Sequence, residues 1–84
     1  MFDTEKALEI IHRSKRAIDT DPIEMSGYTR TYRLAIQIVW AMQEAGAVPV
    51  KISHKRFDAL VGWVHATLVF NNDESREESL RRVL

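Results

Sequence analysis

The segment TYRLAIQIVWAMQEA, residues 31–45, constrains the fold of this chain more than any other. Ten of its fifteen residues are apolar, and they do not alternate with polar residues as they would in a half-buried strand. They recur at steps of three and four instead, which places them on one broad face of a helix. The segment is therefore predicted to be the central helix of the core, and it is too short to span a membrane.

Trp40 interrupts the polar face of this central helix. At about 100° of rotation per residue, it falls in the same stripe as Arg33, Gln37 and Glu44. One interpretation is that a neighbouring helix covers the indole ring, and the usual burial of large aromatic side chains favours it. The other is that Trp40, with Arg33 beside it, is an exposed anchor for a partner.

Length and charge limit the classes of protein. The 84 residues suffice for a single domain, 1–84, with one modest core. Twelve basic and twelve acidic residues balance, so no overall field attracts nucleic acid or an anionic membrane. The absence of cysteine excludes disulfides and cysteine-ligated zinc. The first residues, MFDTE, lack the pattern of a secretion signal, and we expect a cytoplasmic protein without a membrane partner.

Two helices are predicted before the central one. Asp3 is a suitable N-cap for a first helix that runs to about Ile18. Residues 21–27 have the cap, proline and glutamate spacing of a one- or two-turn helix, which Gly27 ends. This short helix would reverse the chain so that the first helix packs on the central one.

The segment after the central helix is predicted to be an extended connector. Gly46 ends the helix, and Pro49 prevents its continuation. Residues 47–52 alternate like a strand, but no second segment of the chain offers an obvious partner strand. Pairing with a second copy, or with a strand of a binding partner, remains open.

A third long helix is predicted from a cap at Ser53 to about Phe70. One face of it is a regular core stripe, formed by Phe57, Leu60, Val61, Val64 and Leu68. A second apolar face lies roughly opposite, and Gly62 beside it suggests close approach of another backbone. A helix with two apolar faces needs two neighbours, and one of them could be another copy of the chain. The second face consists of Ala59, Trp63, Ala66 and Phe70.

The last segment, after residues 71–73, is predicted to be a weak helix with few apolar residues. It either docks on Trp63 and Phe70 or belongs to an interface. The predicted fold is thus all-α: a small bundle of three main helices, with a short turn helix, a weak C-terminal helix and one extended connector at 47–52.

No catalytic arrangement is evident in the sequence. The three glycines are isolated and do not form a phosphate-binding loop. Glu9 and His12 form a single Glu-x-x-His pair, whereas a di-metal bundle needs two such pairs and further carboxylates. His65 lies at the edge of the core stripe, where a structural histidine is the expected role. We therefore predict a protein that is not an enzyme and has no cofactor or metal.

The strongest local charge feature is the basic start of the third helix. The helix dipole is positive at this end and disfavours basic side chains there, so a negatively charged ligand is one reason for their presence. A helix-turn-helix reader presents this part of a helix to the major groove, but the proline-bearing turn before it is too long for the usual motif. The residues of this alternative nucleic-acid site are Lys51, His54, Lys55 and Arg56, with Arg30 and Arg33 as helpers.

The functional prediction is a small helical interaction module: a regulator, adaptor or inhibitor that acts by binding another protein or itself, as a homodimer. It depends on the apolar surface that one copy of the chain is too small to cover. The predicted protein-binding residues are Trp40, Arg33, Ala59, Gly62, Trp63, Ala66 and Phe70. A nucleic-acid-binding regulator is the alternative.

Overall fold

The described part of the chain, residues 2–19, 28–70 and 76–83 of a computed structural model, is helical apart from short connections. It contains the helices α1 (Thr4–Asp19), α2 (Tyr28–Glu44), α3 (His54–Phe70) and α4 (Arg76–Val83). No strand occurs within these ranges, so the predicted all-α class is confirmed. The short helix predicted at 21–27 lies outside the described residues.

The helices α2 and α3 form an antiparallel pair, which has the most extensive contacts in the fold. At the start of α2, Thr31 Oγ1 lies 2.9 Å from His65 Nε2 in the second half of α3. At the other end of the pair, Trp40 of α2 and Phe57 of α3 line the same cleft. Helix α1 packs mainly on α2 and α4, and α4 lies against both α1 and α3. None of the described helices is both long enough and apolar enough to cross a membrane.

The hydrophobic core receives side chains from all four helices and from the connector between α2 and α3. The stripe predicted for α3 is confirmed, since Leu60, Val61 and Val64 are buried and Phe57 and Leu68 are partly buried. The buried apolar residues are Ala7, Ile11, Ala35, Ile38, Val39, Met42, Ala47, Val48, Leu60, Val61, Val64 and Leu80.

The end of α2 is a Schellman turn around Gly46. The backbone φ of Gly46 is +78°, and its N–H donates to Gln43 O at 3.1 Å. The N–H of Ala47 donates to Met42 O at 2.8 Å, and the side chains of both residues are fully buried. The carbonyl of Ala47 also accepts a 2.7 Å hydrogen bond from Asp3 N. One corner therefore ends α2 and holds the chain segment that leads into α1.

Side-chain caps begin two of the long helices at the residues that the sequence predicts. Asp3 Oδ1 accepts a hydrogen bond from Lys6 N at 3.0 Å at the start of α1. Ser53 Oγ accepts one from Arg56 N at 3.3 Å at the start of α3. Each cap satisfies an N–H group that has no partner within its own helix. The boundaries of both helices lie close to the predicted ones.

Residues 47–53 form neither helix nor strand, as expected for a connector. The side chain of Gln43 holds this segment against the end of α2, because its Nε2 donates to Pro49 O at 3.2 Å and to Val50 O at 3.5 Å. Val48 is buried beside the corner, whereas Val50 is 75% exposed. The connector is therefore buried at its start, exposed at Val50, and half-buried against the core again at Ile52.

Helix α4 docks on the rest of the fold. Leu80 is fully buried in the core, and the indole N–H of Trp63 donates to Ser79 Oγ at 3.0 Å. Of the two roles open for the last segment in the sequence, docking on Trp63 is the one observed. The buried Leu80, the partly buried Val83 and the Trp63–Ser79 hydrogen bond thus hold a helix of eight residues against the core.

Two glycine-to-alanine substitutions should have opposite effects on stability. At Gly46 a side chain is strained in the left-handed conformation, so Gly46→Ala should lower the free energy of unfolding by about 1–2 kcal/mol. At Gly62 nothing lies within 4 Å of an added Cβ, so Gly62→Ala should raise the free energy of unfolding by about 1 kcal/mol through helix propensity. Within the described chain, the predicted close approach of another backbone at Gly62 is therefore wrong. Urea unfolding of both variants measures the two changes, and a shift of the same sign in both would contradict this assignment.

Candidate protein-interaction site

Trp40 is 57% exposed, so the interpretation that a neighbouring helix covers its ring is wrong. The reason lies in the arrangement of the helices. The buried residues Ala35, Ile38, Val39 and Met42 mark the face of α2 that packs on the core, and at 100° per residue Trp40 points well away from it. Helix α4, the last of the described helices, packs on α1 and α3 instead. The indole ring is thus left at the surface.

The exposed indole lines a cleft of about 360 Å³. The cleft lies where the last turns of α2, the connector and the first turn of α3 meet. Its volume is at the lower end of the range found for ligand sites, and most of its lining is apolar. The lining residues are Trp40, Gln43, Val50, Ile52, His54 and Phe57.

The cleft depends on the position of the connector. Gln43 donates to the carbonyls of Pro49 and Val50, which fixes these residues beside the end of α2. Ile52 and Phe57 are half-buried against the core and provide the inner part of the lining. Trp40 and Val50 are both more than half exposed, so the cleft is bordered by apolar surface in contact with water.

Arg33 is exposed on the same helix as Trp40, seven residues before it. At 1.5 Å per residue this places it roughly 10 Å along the helix axis. Arg33 does not line the cleft. It lies close enough to contact a partner that extends beyond the cleft along α2.

The second predicted surface lies on the face of α3 that contains Ala59, Gly62 and Ala66. Ala59, Gly62 and Ala66 are exposed, whereas Trp63 is half-buried and hydrogen-bonded to Ser79 of α4. The side chain of Phe70 lies outside the described residues. Because α4 contacts Trp63, the largest apolar group predicted for this surface already has an intramolecular partner.

The basic residues predicted for nucleic-acid binding do not all lie together. Lys51, His54, Lys55 and Arg56 are exposed at the start of α3, and the first turn of that helix contains no acidic residue. Arg30 and Arg33 are exposed near the start of α2. Because α2 and α3 are antiparallel, the two groups are separated by roughly 15–20 Å of helix length.

The histidines have different environments. His65 is buried, forms the hydrogen bond with Thr31, and meets the ring of Tyr32 edge to face at 5.8 Å. His54 lines the cleft, and His12 is exposed on α1. Among the described residues, no group of three or more histidine and acidic side chains is placed to hold a metal ion.

Several residues of the cleft were not predicted as site residues from the sequence. The spacing of Phe57 predicts a core residue. Gln43 is polar, so its position on the helix predicts only contact with solvent. Val50 and Ile52 belong to the strand-like connector, and Pro49 within it is the one available signal. Pro49 shows only that the helix does not continue, and the position of the segment beside the last turns follows from the turn at Gly46 and the hydrogen bonds of Gln43.

Comparisons of the chain with protein families, with characterised proteins and with solved structures gave no match.

The two indole rings should differ in their access to solvent. Trp63→Phe leaves only the exposed Trp40, whose fluorescence acrylamide should quench nearly as strongly as that of free tryptophan amide. Trp40→Phe leaves only Trp63, which is half-buried under α4 and should be quenched more weakly. Stern–Volmer constants of the two variants measure this difference. Equal constants would contradict the exposure of the cleft.

Proposed function

We propose that this protein is a small non-enzymatic interaction module, a regulator, adaptor or inhibitor, that binds another protein through the cleft beside Trp40. The observation that carries the proposal is the 57% exposure of a tryptophan next to an apolar concavity. Tryptophan is enriched among the residues that dominate binding energy at protein interfaces. A cytoplasmic location is part of the proposal and rests on the sequence alone.

The surroundings of Trp40 support a binding role. Gln37 and Glu44 are exposed one turn on either side of it, so an apolar centre is bordered by polar side chains. This arrangement resembles the apolar centre and polar rim of protein interfaces. Each 100 Å² of apolar surface that a partner covers would contribute about 2.5 kcal/mol before the costs of association.

A second copy of the chain is one candidate partner, as the sequence suggested. The support for it is the exposed strip of Ala59, Gly62 and Ala66 on α3, which lets two helices approach closely. The contact of α4 with Trp63 weakens this support, because it reduces the apolar surface available there. A different protein at the Trp40 cleft is therefore the form of the proposal that we favour.

Placing a charge in the cleft should abolish binding without unfolding the protein. Trp40→Asp removes the exposed ring, while Val69→Asp places the same charge at another exposed apolar residue, 47% exposed, on α3. Proteins captured from the native host by the wild type should be lost with Trp40→Asp and retained with Val69→Asp. Light scattering of the same three proteins tests self-association: a dimer that forms through the exposed strip of α3 should be lost with Val69→Asp, one turn after Ala66, and a dimer that forms through the cleft should be lost with Trp40→Asp. Identical capture and identical mass for wild type and Trp40→Asp would contradict the proposal.

The basic start of α3 supports the alternative, a nucleic-acid-binding regulator. Four cationic or titratable side chains, Lys51, His54, Lys55 and Arg56, are exposed within six residues. The positive end of the helix dipole adds to their field. The balanced net charge and the distance to Arg30 and Arg33 favour the protein-binding proposal over this one.

The alternative predicts a steep dependence of binding on salt. If Lys51, Lys55 and Arg56 contact phosphates, raising the salt concentration from 50 to 200 mM should weaken binding to duplex DNA with a log–log slope of about −3. Replacing Lys55 with glutamate should make this slope shallower by more than one. Fluorescence anisotropy with a labelled duplex measures both effects, and no binding at low salt would exclude the alternative.

A further inference from the structure

We propose that the outer face of α2 pairs with the same face of a second copy of the chain, in an antiparallel arrangement that joins Arg33 of each copy to Glu44 of the other. Three observations carry this inference: the spacing of the exposed residues, two charges without partners, and the exposure of Trp40. The inference goes beyond the proposed function, because it concerns the length of α2 and not the cleft. A second copy and another protein would be alternative occupants of the surface around Trp40.

The exposed stripe of α2 lies opposite the buried face of that helix. Arg33, Gln37, Trp40 and Glu44 are all exposed. At 100° per residue they fall within roughly 60° of one another, and the centre of the stripe is about 180° from the centre of the face that packs on the core. A second helix can therefore approach the stripe without displacing any of the described helices.

The spacing of the stripe is the same in both directions. Its members follow one another at steps of four, three and four residues. When a second copy of the helix runs antiparallel, Arg33 lies opposite Glu44 and Gln37 lies opposite Trp40, and each of these contacts occurs twice. A two-fold interface requires this self-complementarity, in which the same patch is used on both subunits. An unrelated partner sets no such condition on the stripe.

The charges near the ends of the stripe have no partner in one copy. Neither Arg33 nor Glu44 forms an ion pair within the part of the chain that the structure describes. Glu44 ends α2, where the helix dipole disfavours negative charge, and the last turn contains no basic residue to offset it. In the antiparallel pair Glu44 lies beside Arg33 of the other copy, with the exposed Arg30 one turn before it. A parallel pair would instead place like charges opposite each other.

Trp40 lies near the centre of the paired stripe. It is between one and two residues from the midpoint of Arg33 and Glu44, so the two indole rings would be about 4.5 Å apart along the helix axis. Aromatic side chains interact at ring separations of about 4.5–7 Å. Each copy would then cover the ring that the other leaves in water. Because the stripe is shorter than a standard interface, we expect a weak dimer in exchange with the monomer.

The test exchanges the two charges and measures the molar mass of the full chain against concentration by sedimentation equilibrium. Arg33→Glu and Glu44→Arg each place like charges together twice in the dimer, so each should raise its dissociation constant about tenfold. An equimolar mixture of these two variants should dimerise as the wild type does, because their stripes are complementary. Arg56→Glu makes the same charge change at an exposed residue of α3 outside the stripe and should have no effect.

The fluorescence of Trp40 gives a second measurement. In the Trp63→Phe variant, acrylamide should quench Trp40 strongly in the dilute monomer and more weakly as the protein concentration rises through the dissociation constant. Adding Arg33→Glu to this variant should keep the quenching strong over the same range of concentration.

Two results would overturn the inference. The first is a chain that stays monomeric at millimolar concentration. The second is a dimer that neither single charge change weakens, or that mixing the two variants does not restore. In either case another protein remains the proposed occupant of the cleft, and the capture experiment with Trp40→Asp and Val69→Asp tests that proposal separately.

Discussion

The fold depends on the backbone of a single residue, Ala47. Its N–H ends α2 by bonding to Met42 O, and its carbonyl accepts the hydrogen bond from Asp3 N at the entry to α1. Its side chain is fully buried, so the corner is also part of the core. Gly46 makes the arrangement possible because its positive φ turns the chain sharply without a side-chain clash. The end of one helix and the start of another are thereby set by the two peptide groups that flank one residue.

The corner also determines where the candidate site lies. A chain that leaves α2 at Ala47 must pass the last turns of that helix, where Gln43 holds the next carbonyls. Side chains of the connector therefore come to lie beside Trp40, and a cleft results between them and α3. Keeping Trp40 and Val50 in contact with water gives up stabilisation that burial would supply. An exposed apolar surface of this kind is a common sign of an interaction site.

Local patterns in the sequence predict the helices well. Three- and four-residue spacing and the caps Asp3 and Ser53 locate α1 and α3, and the core stripe of α3 follows from the same spacing. The same spacing does not predict which other helix packs against each face. Trp40 is exposed because α4 packs elsewhere, and the position of α4 depends on Leu80 and on the Trp63–Ser79 hydrogen bond. The cleft combines residues of two helices and a connector, so no single periodic pattern reveals it.

The hydrogen bond between Asp3 and Ala47 has a consequence for the order of folding. Its two residues are far apart in the sequence, whereas α2 and α3 are joined by a short connector. Closing a long loop costs more entropy than closing a short one, so the α2–α3 hairpin can assemble before the N-terminal segment attaches. The first turn of α1 then acquires its anchor only after the corner at Ala47 has formed. The hydrogen bond of Asp3 is therefore expected to form after the contacts between α2 and α3.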